Sequence, residues 1–345
     1  MTAAQTRQLA AECGFELCGV TPAGLVTDHT RFQHWVDRGL AAAMGWLTDH
    51  RAGLRADVRS LLPSAKSVIC VGKVYNSPRP YSTEFNDDEL AWISRYAWGD
   101  DYHPILRRGL EQLAARLGPD HEWRVCVDTA PVLERSLARA AGLGWIGRNT
   151  CLINQQVGSW FFLGELLTSV DIEGENEPAP DRCGSCTRCI DACPTEALRP
   201  AGDSWELDAT RCISYFTIEL RGAIEERYRA GIGRHVFGCD ICQDVCPWNR
   251  QAEVTADQRF GARNFAPPLE RLAALSESDF RAMFRGTPVL RAKYSGFLRN
   301  VAVAMGNAGE PRFAAPLERL ADSVDPVVAE HARWALSRLV SAFRR

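Results

Sequence analysis

The cysteines in the middle of the chain are the residues best suited to chemistry. Cys183, Cys186, Cys189 and Cys193 have the spacing C-x2-C-x2-C-x3-C, and Pro194 follows the last of them directly. Bacterial ferredoxins hold [4Fe–4S] clusters with this spacing, and their fourth cysteine binds a second cluster. The pattern therefore predicts iron–sulfur clusters and calls for a second set of thiolates.

A second, incomplete run lies downstream. Cys239, Cys242 and Cys246 are followed by Pro247, but Val236 stands where a complete repeat would place a cysteine. Cys212, between the two runs, can supply the missing thiolate, which gives the eight that two clusters need. The crossover rule assigns one cluster to Cys183, Cys186, Cys189 and Cys246, and the other to Cys193, Cys212, Cys239 and Cys242.

Zinc is the alternative metal, because C-x2-C pairs bind it well. A third cysteine two residues later, followed by C-P, is not a zinc spacing, so iron–sulfur clusters and electron transfer are favoured. The chain has 13 cysteines, and an odd number in a chain of this length argues against a disulfide scaffold and for a reducing cytoplasm. The remaining cysteines show no ligand spacing and are predicted to be buried structural thiols: Cys13, Cys18, Cys70, Cys126 and Cys151.

Length and charge limit the function classes. With 345 residues the chain has room for two or three domains. It has no apolar run of membrane-spanning length, and we see no signal peptide at its beginning, so we expect no membrane contact. The net charge of −3 excludes a uniformly basic surface, so a nucleic acid would have to meet a local patch.

Around the cysteines, the elements predict an α+β protein of three domains. Residues 1–170 mix helical patterns ("TRQLAAECGF", "HPILRRGLEQLAARLG") with strand-like runs ("SVICVGKVY", "WRVCVD", "GSWFFLGELLTSVDI"). The acidic, proline-bearing segment 171–181 is predicted to be a linker. A cluster domain is expected over 171–265, and a helical domain over 266–345.

Asp128 is the candidate catalytic residue of the first domain. It ends a predicted strand in "VDTAPVLER", where a loop can direct it into a cleft. A helix N-cap is an equally open interpretation. The neighbouring "SRYAWGDDYHPIL" and "GLGWIGRN" segments also carry polar residues and glycines suited to a ligand, but neither is decisive alone.

The last third of the chain predicts amphipathic helices. "DPVVAEHARWAL" resembles one helix of a HEAT-type pair, with Val328, Ala332 and Leu336 four residues apart. Such pairs often only support a neighbouring domain. Upstream, a segment with few acids predicts a phosphate-binding patch; its basic residues are Arg281, Arg285, Arg291, Lys293 and Arg299.

Taken together, these segments resemble the epoxyqueuosine reductase family over nearly the whole chain. The resemblance rests on "VDTAPVLER", "GLGWIGRNTCLIN", "VGSWFFLGE", the two cysteine runs and "FLRNVAVAMGN", in this order. It implies an N-terminal cobalamin-binding α/β domain, a ferredoxin-like domain with two [4Fe–4S] clusters and a C-terminal HEAT-like helical domain that binds tRNA.

The activity that the resemblance implies is reductive removal of the epoxide oxygen of epoxyqueuosine. The product is queuosine at the wobble position of a tRNA with a GUN anticodon, in the last step of queuosine biosynthesis. The clusters would relay electrons to cobalamin from a low-potential donor such as a flavodoxin or ferredoxin. We expect a cytoplasmic enzyme, and a monomer by default.

The resemblance also implies residue roles. Asp128 matches the family's proton donor, and because a free Asp has a pKa of about 3.9, we expect burial to raise it, a bias of about 4 kcal/mol. Arg221, after the cluster loop, is a further tRNA candidate beside the basic segment. The residues expected to bind cobalamin are Arg51, Asp128, Trp145, Arg148, Asn149, Ser159, Ser214 and Tyr215.

Two other protein classes fit part of the pattern. A reductive dehalogenase would share cobalamin and clusters, but would usually carry an export signal and would not need the basic helical tail. A simple electron carrier would need only residues 180–250 and would leave two thirds of the chain without a role.

Overall fold

The structure is a computed structural model that describes residues 1–174 and 178–342. The predicted linker therefore lies partly outside the described residues, at 175–177. Its first residues contact the N-terminal sheet, because the Ile172 amide donates to the Ser67 hydroxyl of β2 at 3.0 Å. Within the described ranges, no helix combines the length and apolar character needed to cross a bilayer.

Helices and short strands alternate along the chain. The helices are α1 Ala3–Glu12, α2 His29–Asp37, α3 Gly45–Thr48, α4 Arg51–Leu54, α5 Tyr102–Arg116, α6 Glu134–Ala140, α7 Arg188–Asp191, α8 Glu226–Arg229, α9 Ile241–Asp244, α10 Leu269–Ala273, α11 Glu277–Met283, α12 Lys293–Ala308, α13 Ala314–Ala321 and α14 Pro326–Ala342. The strands are β1 Leu17–Pro22, β2 Ser67–Val74, β3 Trp92–Ile93, β4 Trp123–Cys126, β5 Trp145–Ile146, β6 Leu152–Ile153, β7 Phe161–Thr168, β8 Leu198–Ala201, β9 Ser204–Leu207 and β10 His235–Phe237.

A four-stranded sheet in the order β1-β2-β7-β4 forms the centre of the N-terminal region. Strand β2 is buried along its whole length, because α1 and α5 cover one face of the sheet and α6 covers the other. The mixed α+β character predicted from the sequence is confirmed. The α/β arrangement predicted for this domain is wrong, because every pairing in the sheet is antiparallel.

Helix α5 shows why these residues fold as they do. The Asp101 side chain caps its N-terminus by accepting the amide of His103 at 3.0 Å. Leu106, Leu110 and Leu113 recur at helical spacing and are fully buried against the sheet. The sheet and α5 thus fix the position of the first residues of the helix, where polar side chains gather.

The cysteine region consists of short elements that are tied to the rest of the chain. Helices α7 and α9 each carry one cysteine, β8 and β9 form a hairpin, and β10 pairs in parallel with β3 of the N-terminal region. Cysteine-bearing segments are thereby attached to the segment that leads into α5.

The C-terminal helices pack around α12. Gly306 of α12 lies so close to α14 that an added Cβ would stand 2.7 Å from the Cβ of Ala335. Val328 and Ala332 are buried on the inner face of α14, as the helical pattern predicts, whereas Leu336 is half-buried. Trp92 and Trp98 belong to the same core, so it includes residues from the N-terminal region.

Arg299 of α12 is a structural residue. Its side chain is fully buried and donates hydrogen bonds to the carbonyls of Phe216, Leu220 and Gly222. The prediction that Arg299 contacts phosphate is therefore wrong, because neither its position nor its donors are available to a ligand. It holds the loop after Cys212 against α12.

We predict that Arg299→Met lowers the free energy of unfolding by about 3 kcal/mol, because three carbonyls, among them the buried one of Phe216, lose their donor. Arg285→Met, a matched change at an exposed position, should leave the free energy of unfolding unchanged. Anaerobic urea denaturation at equal cluster content measures both. Equal stability of the Arg299→Met variant and the parent protein would contradict the structural role.

Candidate functional site

Cys183, Cys186, Cys189 and Cys246 form a first thiol group. Burial, followed by the neighbouring thiols of Cys246, Cys183 and Cys186, raises the pKa of Cys189 to about 12. The four cysteines line a cavity of about 230 Å³. The residues between the first three of them are exposed, so this group lies near the protein surface.

Cys193, Cys212, Cys239 and Cys242 form a second thiol group. Burial, together with the thiols of Cys212 and Cys193, raises the pKa of Cys239 well above its ordinary range. The pKa of Cys242 is raised by its hydrogen bond with Cys151, by burial and by Cys239 and Cys212. Cys151, predicted to be structural, thus lies against this group.

Backbone amides point at the sulfurs of the second group. Burial raises the pKa of Cys212, but the amides of Tyr215 and Ser214 oppose this by donating to its sulfur. The Ala197 amide donates to the Cys193 sulfur at 3.3 Å. Such donors stabilise a thiolate and tune the potential of a bound cluster, so this group suits cluster ligation.

The two thiol groups contain the same cysteines that the crossover rule assigned to two clusters; ligation itself stays a prediction. Across residues 1–174 and 178–342, no group of three or more His, Cys, Asp or Glu could hold a metal ion. A [4Fe–4S] cluster needs a different ligand arrangement from a single metal ion, because each of its four thiolates binds a different iron.

Asp240 fastens the second thiol group to the N-terminal region. Its carboxylate, only 1% exposed, accepts hydrogen bonds from Trp92 Nε1 at 3.0 Å, from the Arg95 amide at 2.7 Å and from the Ser94 hydroxyl. Cys239 is its neighbour in sequence. The position of this cysteine is therefore fixed relative to the segment that leads into α5.

An acid–base pair lies at the end of that segment. The ring of His103 places Nδ1 2.7 Å from Asp101 Oδ1 and Nε2 3.0 Å from Asp128 Oδ2. Asp128 follows β4 with φ of 52°, a left-handed conformation rare outside glycine. Its amide donates to Glu134 Oε1 at 2.6 Å, which holds this conformation in place.

The charges of this pair differ from those predicted. Burial lowers the pKa of His103, but hydrogen bonds with Asp101 and Asp128 outweigh it and raise the pKa to about 9. Burial raises the pKa of Asp128, but His103 and the Tyr102 hydroxyl outweigh it, and the pKa is lowered. The predicted elevation of the Asp128 pKa by burial is wrong: its side chain is 48% exposed and faces a cation. At pH 7 the proton resides on His103.

The pair opens onto a face built from several parts of the chain. The Tyr102 ring, whose hydroxyl reaches Asp128, stacks on Phe162 with centroids 4.2 Å apart. Arg291, whose charge also lowers the pKa of Asp128, pairs with Glu219 and lies over the Trp46 ring at 4.9 Å. We call this surface the open face.

Tyr96 links the open face to the second thiol group. Its ring lies 6.0 Å from that of Phe237, two residues before Cys239, and 6.3 Å from that of Tyr102. Burial, then the charges of Asp128, Glu219 and Asp240, raise its pKa. The second thiol group is therefore beside the open face.

Three of the residues predicted to contact cobalamin lie at the thiol groups and not at the open face. Trp145 packs in a buried cluster with Cys183 and Cys246. Arg148 donates to the Gly184 carbonyl at 2.6 Å and lines the cavity of the first thiol group, as does Asn149. Among the described residues their contacts are with the thiol groups, so their role in cobalamin binding stays a prediction.

The other predicted contacts divide between surface, core and loop. Arg51 pairs with Asp49 on the surface. Ser159 is buried, and its hydroxyl accepts from Asn249 at 2.9 Å. The Tyr215 hydroxyl accepts a hydrogen bond from the amide of Ala43 at 3.2 Å. The amides of Ser214 and Tyr215 donate to the sulfur of Cys212.

The predicted tRNA contacts, apart from Arg299, lie on the surface. Arg285 and Lys293 are exposed. Arg291 is 46% exposed beside the open face. Arg221 uses Nη1 to donate to the carbonyls of Ile218 and Ala292 while its side chain remains exposed. These four side chains can reach a ligand.

Sequence reasoning missed the roles of His103 and Glu134. His103 stood in a segment noted for its polar residues, and Glu134 stood within "VDTAPVLER", but no spacing links either to Asp128. A histidine just after a helix N-cap aspartate is the one signal that could have indicated a charged imidazole.

Comparisons with known proteins agree with this geometry. The family model described as "4Fe-4S double cluster binding domain" matches residues 182–249. The model described as "Epoxyqueuosine reductase QueG, DUF1730" matches residues 55–129, up to the residue after Asp128.

Whole-chain relatives are similar over nearly their full length. An epoxyqueuosine reductase of Xanthomonas campestris is 43% identical over 97% of this chain and 96% of its own. A crystal structure of epoxyqueuosine reductase with an epoxyqueuosine-modified tRNA-Tyr stem loop matches with a TM-score of 0.88 and 28% identity, over 97% of this chain and 89% of that one. The Bacillus subtilis reductase, with its catalytic aspartate loop swung out of the active site, matches with a TM-score of 0.87 and 27% identity, over 97% and 90%.

The fold, the double-cluster domain and the two thiol groups define an iron–sulfur oxidoreductase. Within that class, the chain belongs to the epoxyqueuosine reductase family.

We predict that substitutions of cysteines in the same thiol group remove the same cluster signal, whatever their distance in the sequence. Cys246→Ser should remove the same electron paramagnetic resonance signal as Cys183→Ser, and Cys193→Ser the same signal as Cys212→Ser, each with loss of about four irons. Cys151→Ser, the control, should retain both signals. Pairing of Cys193→Ser with Cys183→Ser would contradict the grouping.

Proposed function

We propose that this protein removes the epoxide oxygen of epoxyqueuosine in tRNA to give queuosine, the last step of queuosine biosynthesis. The observation that carries the proposal is the position of the second thiol group beside an open face that bears a charged His103 and an exposed Asp128. The similarity to reductases over the whole chain, one of them bound to a modified stem loop, supports the same substrate.

The eight cysteines of the two thiol groups are the proposed cluster ligands. The first group lies near the surface, where a low-potential protein such as a flavodoxin or ferredoxin can deliver electrons. The second group lies beside the open face. Iron–sulfur clusters reach reduction potentials as low as about −700 mV, so two in series can carry electrons inward from a low-potential donor.

The open face is the proposed place of cobalamin, which the family resemblance implies. Its residues fit a large polar cofactor, because Asp128 and Arg291 are each about half exposed there. Bound cobalamin would supply a low-potential cobalt centre that delivers electrons to the substrate. Trp46 and Arg291 would bound the face on one side, and the Ser214–Tyr215 backbone would separate it from the second thiol group.

Asp128 and His103 supply the proton. As an epoxide C–O bond opens, negative charge develops on oxygen and needs an acid. His103 holds a proton at pH 7. Asp128 contacts its Nε2 and is the more exposed of the two side chains, so Asp128 would pass the proton to the substrate. The catalytic aspartate loop of the Bacillus subtilis relative supports a role for Asp128.

The tRNA is proposed to meet the surface beside the open face. Arg285, Arg291 and Lys293 are exposed there, and Arg221 adjoins them through the Ala292 carbonyl. The wobble base would be read unpaired in the anticodon loop, while a HEAT-like helical domain over 266–345 supports the basic segment. The proposed setting is a cytoplasmic monomer whose domains divide near residues 171 and 266.

Nucleoside mass analysis tests the activity. Cluster-loaded protein, cobalamin and a low-potential reductant are incubated without oxygen with tRNA that carries epoxyqueuosine. The nucleoside should lose the mass of one oxygen only when cobalamin is present. An unchanged nucleoside, with clusters and cobalamin verified as bound, would overturn the proposed function.

We predict that Asp128→Asn lowers kcat by about 10²- to 10⁴-fold, the range of a lost general acid, with cluster and tRNA binding intact. Asp120→Asn, at an exposed position outside the site, is the control. Single-turnover rates measure both. Full activity of the Asp128→Asn variant would exclude Asp128 as the proton donor.

The pH dependence of kcat should reflect the loss of the proton from His103. Its pKa in the folded protein is raised to about 9, so the imidazolium is fully present below the ordinary histidine pKa and is lost as pH rises through about 9. We predict that kcat falls over that interval and that His103→Gln removes this limb. Persistence of the same limb in the variant would assign it to another group.

Surface charge should control tRNA binding. We predict that Arg285→Glu combined with Lys293→Glu weakens binding and reduces the slope of log affinity against log salt by about 1 for each lost phosphate contact. Arg319→Glu, an exposed change outside the segment, is the control. Unchanged affinity and slope would show that tRNA binds to another surface of the protein.

A further inference from the structure

Trp145 carries a buried hydrogen-bond donor beside the first thiol group. Its side chain is 2% exposed and packs in one cluster with Cys183 and Cys246. The indole Nε1 is buried as well, and no acceptor lies within hydrogen-bond distance of it among residues 1–174 and 178–342. A buried N–H group without an acceptor destabilises a fold, so native proteins seldom keep one. This donor therefore calls for an acceptor other than the described residues.

The indole of Trp145 is held in place by pairing and by packing. Strands β5 and β6 pair Trp145 with Ile153, and Gly144 permits this close approach, because an added Cβ would stand 2.1 Å from the Ile153 carbonyl oxygen. The Trp145 ring also meets that of Trp248 edge-on, with centroids 5.1 Å apart. Trp248 follows Cys246 by two residues. The donor is therefore kept beside the cysteines of the first thiol group.

The indole N–H acts on a sulfur of this group. Burial raises the pKa of Cys183, and the backbone amide of Arg148 and the indole of Trp145 oppose this rise. Both N–H groups thus favour the charged sulfur, as donors to a thiolate do. Iron–sulfur clusters keep their cysteines as thiolates and add sulfides of their own. A cluster held by the first thiol group would give the indole N–H the acceptor that it lacks.

We propose that Trp145 Nε1 donates a hydrogen bond to a sulfur of the first cluster, the one assigned to the first thiol group, and thereby raises its reduction potential. A reduced cluster carries one more negative charge than an oxidised cluster, so a donor to its sulfurs stabilises the reduced form more. Each electron comes from the low-potential donor protein, which is oxidised as the cluster is reduced. Trp145 touches no substrate and acts through the cluster. The inference rests on the proposed role of this cluster in accepting electrons.

Potentiometric titration followed by electron paramagnetic resonance tests the inference without tRNA. Trp145→Phe keeps an aromatic ring and removes the N–H group. We expect it to shift the midpoint potential of the signal tied to Cys183 and Cys246 to a more negative value. The equilibrium should move about tenfold toward the oxidised cluster, which corresponds to about 59 mV for one electron. An unchanged or more positive midpoint potential would overturn the inference.

Trp160→Phe is the matched control. Trp160 is also fully buried, and its Nε1 likewise lacks an acceptor within the described ranges, but its ring packs with those of Tyr75 and Tyr81 rather than against the first thiol group. The same atoms are thus removed from an equally buried position, and the midpoint potential of the first cluster should equal that of the parent protein. A shift as large as that of Trp145→Phe would attribute the effect to lost packing and would contradict the role of the donor.

Pulsed electron paramagnetic resonance provides a readout that needs no change at Trp145. The reduced parent protein, labelled with ¹⁵N at its indole nitrogens, should show a ¹⁵N coupling on the signal of the first cluster. Trp248→Phe should retain this coupling. A parent protein without the coupling, or its loss from Trp248→Phe, would overturn the inference even if Trp145→Phe held no cluster. If the parent protein showed the coupling but removed no oxygen from tRNA, the proposed function would fail while the hydrogen bond would stand.

Discussion

The buried carboxylate of Asp240 is the interaction on which the arrangement of the site depends. It accepts three hydrogen bonds from residues 92–95 while its neighbour Cys239 belongs to the second thiol group. The chain then runs from Arg95 into Asp101 and His103. One carboxylate thus fixes the distance between a candidate electron carrier and a candidate proton donor. Loss of these bonds would leave a buried charge without partners, which is strongly unfavourable.

The remaining constraints place charge at the open face. Arg299 holds the loop after Cys212 against α12, and that loop brings Glu219 to Arg291. His103 lies between two carboxylates, so it keeps its proton at pH 7 while Asp128 stays ionised. The second thiol group and the pair of His103 and Asp128 thus lie on different segments that meet beside the open face.

The sequence predicted what depends on local spacing. The cysteine runs indicated two groups of four, and strand and helix patterns placed β2, β7 and α5 correctly. It could not predict contacts between distant segments. The raised pKa of His103 requires Asp128, 25 residues away. Arg299 looked like part of a basic surface because burial is set by packing of α12, not by composition.

The proposed path takes electrons from the second thiol group toward the open face. Rapid-freeze electron paramagnetic resonance of the reduced, cobalamin-loaded enzyme tests it directly on mixing with the epoxyqueuosine stem loop. Cysteine variants first assign the two cluster signals. We expect the signal tied to Cys212 and Cys239 to be perturbed by the stem loop and to be oxidised first. Perturbation and first oxidation of the signal tied to Cys183 and Cys246 would contradict it.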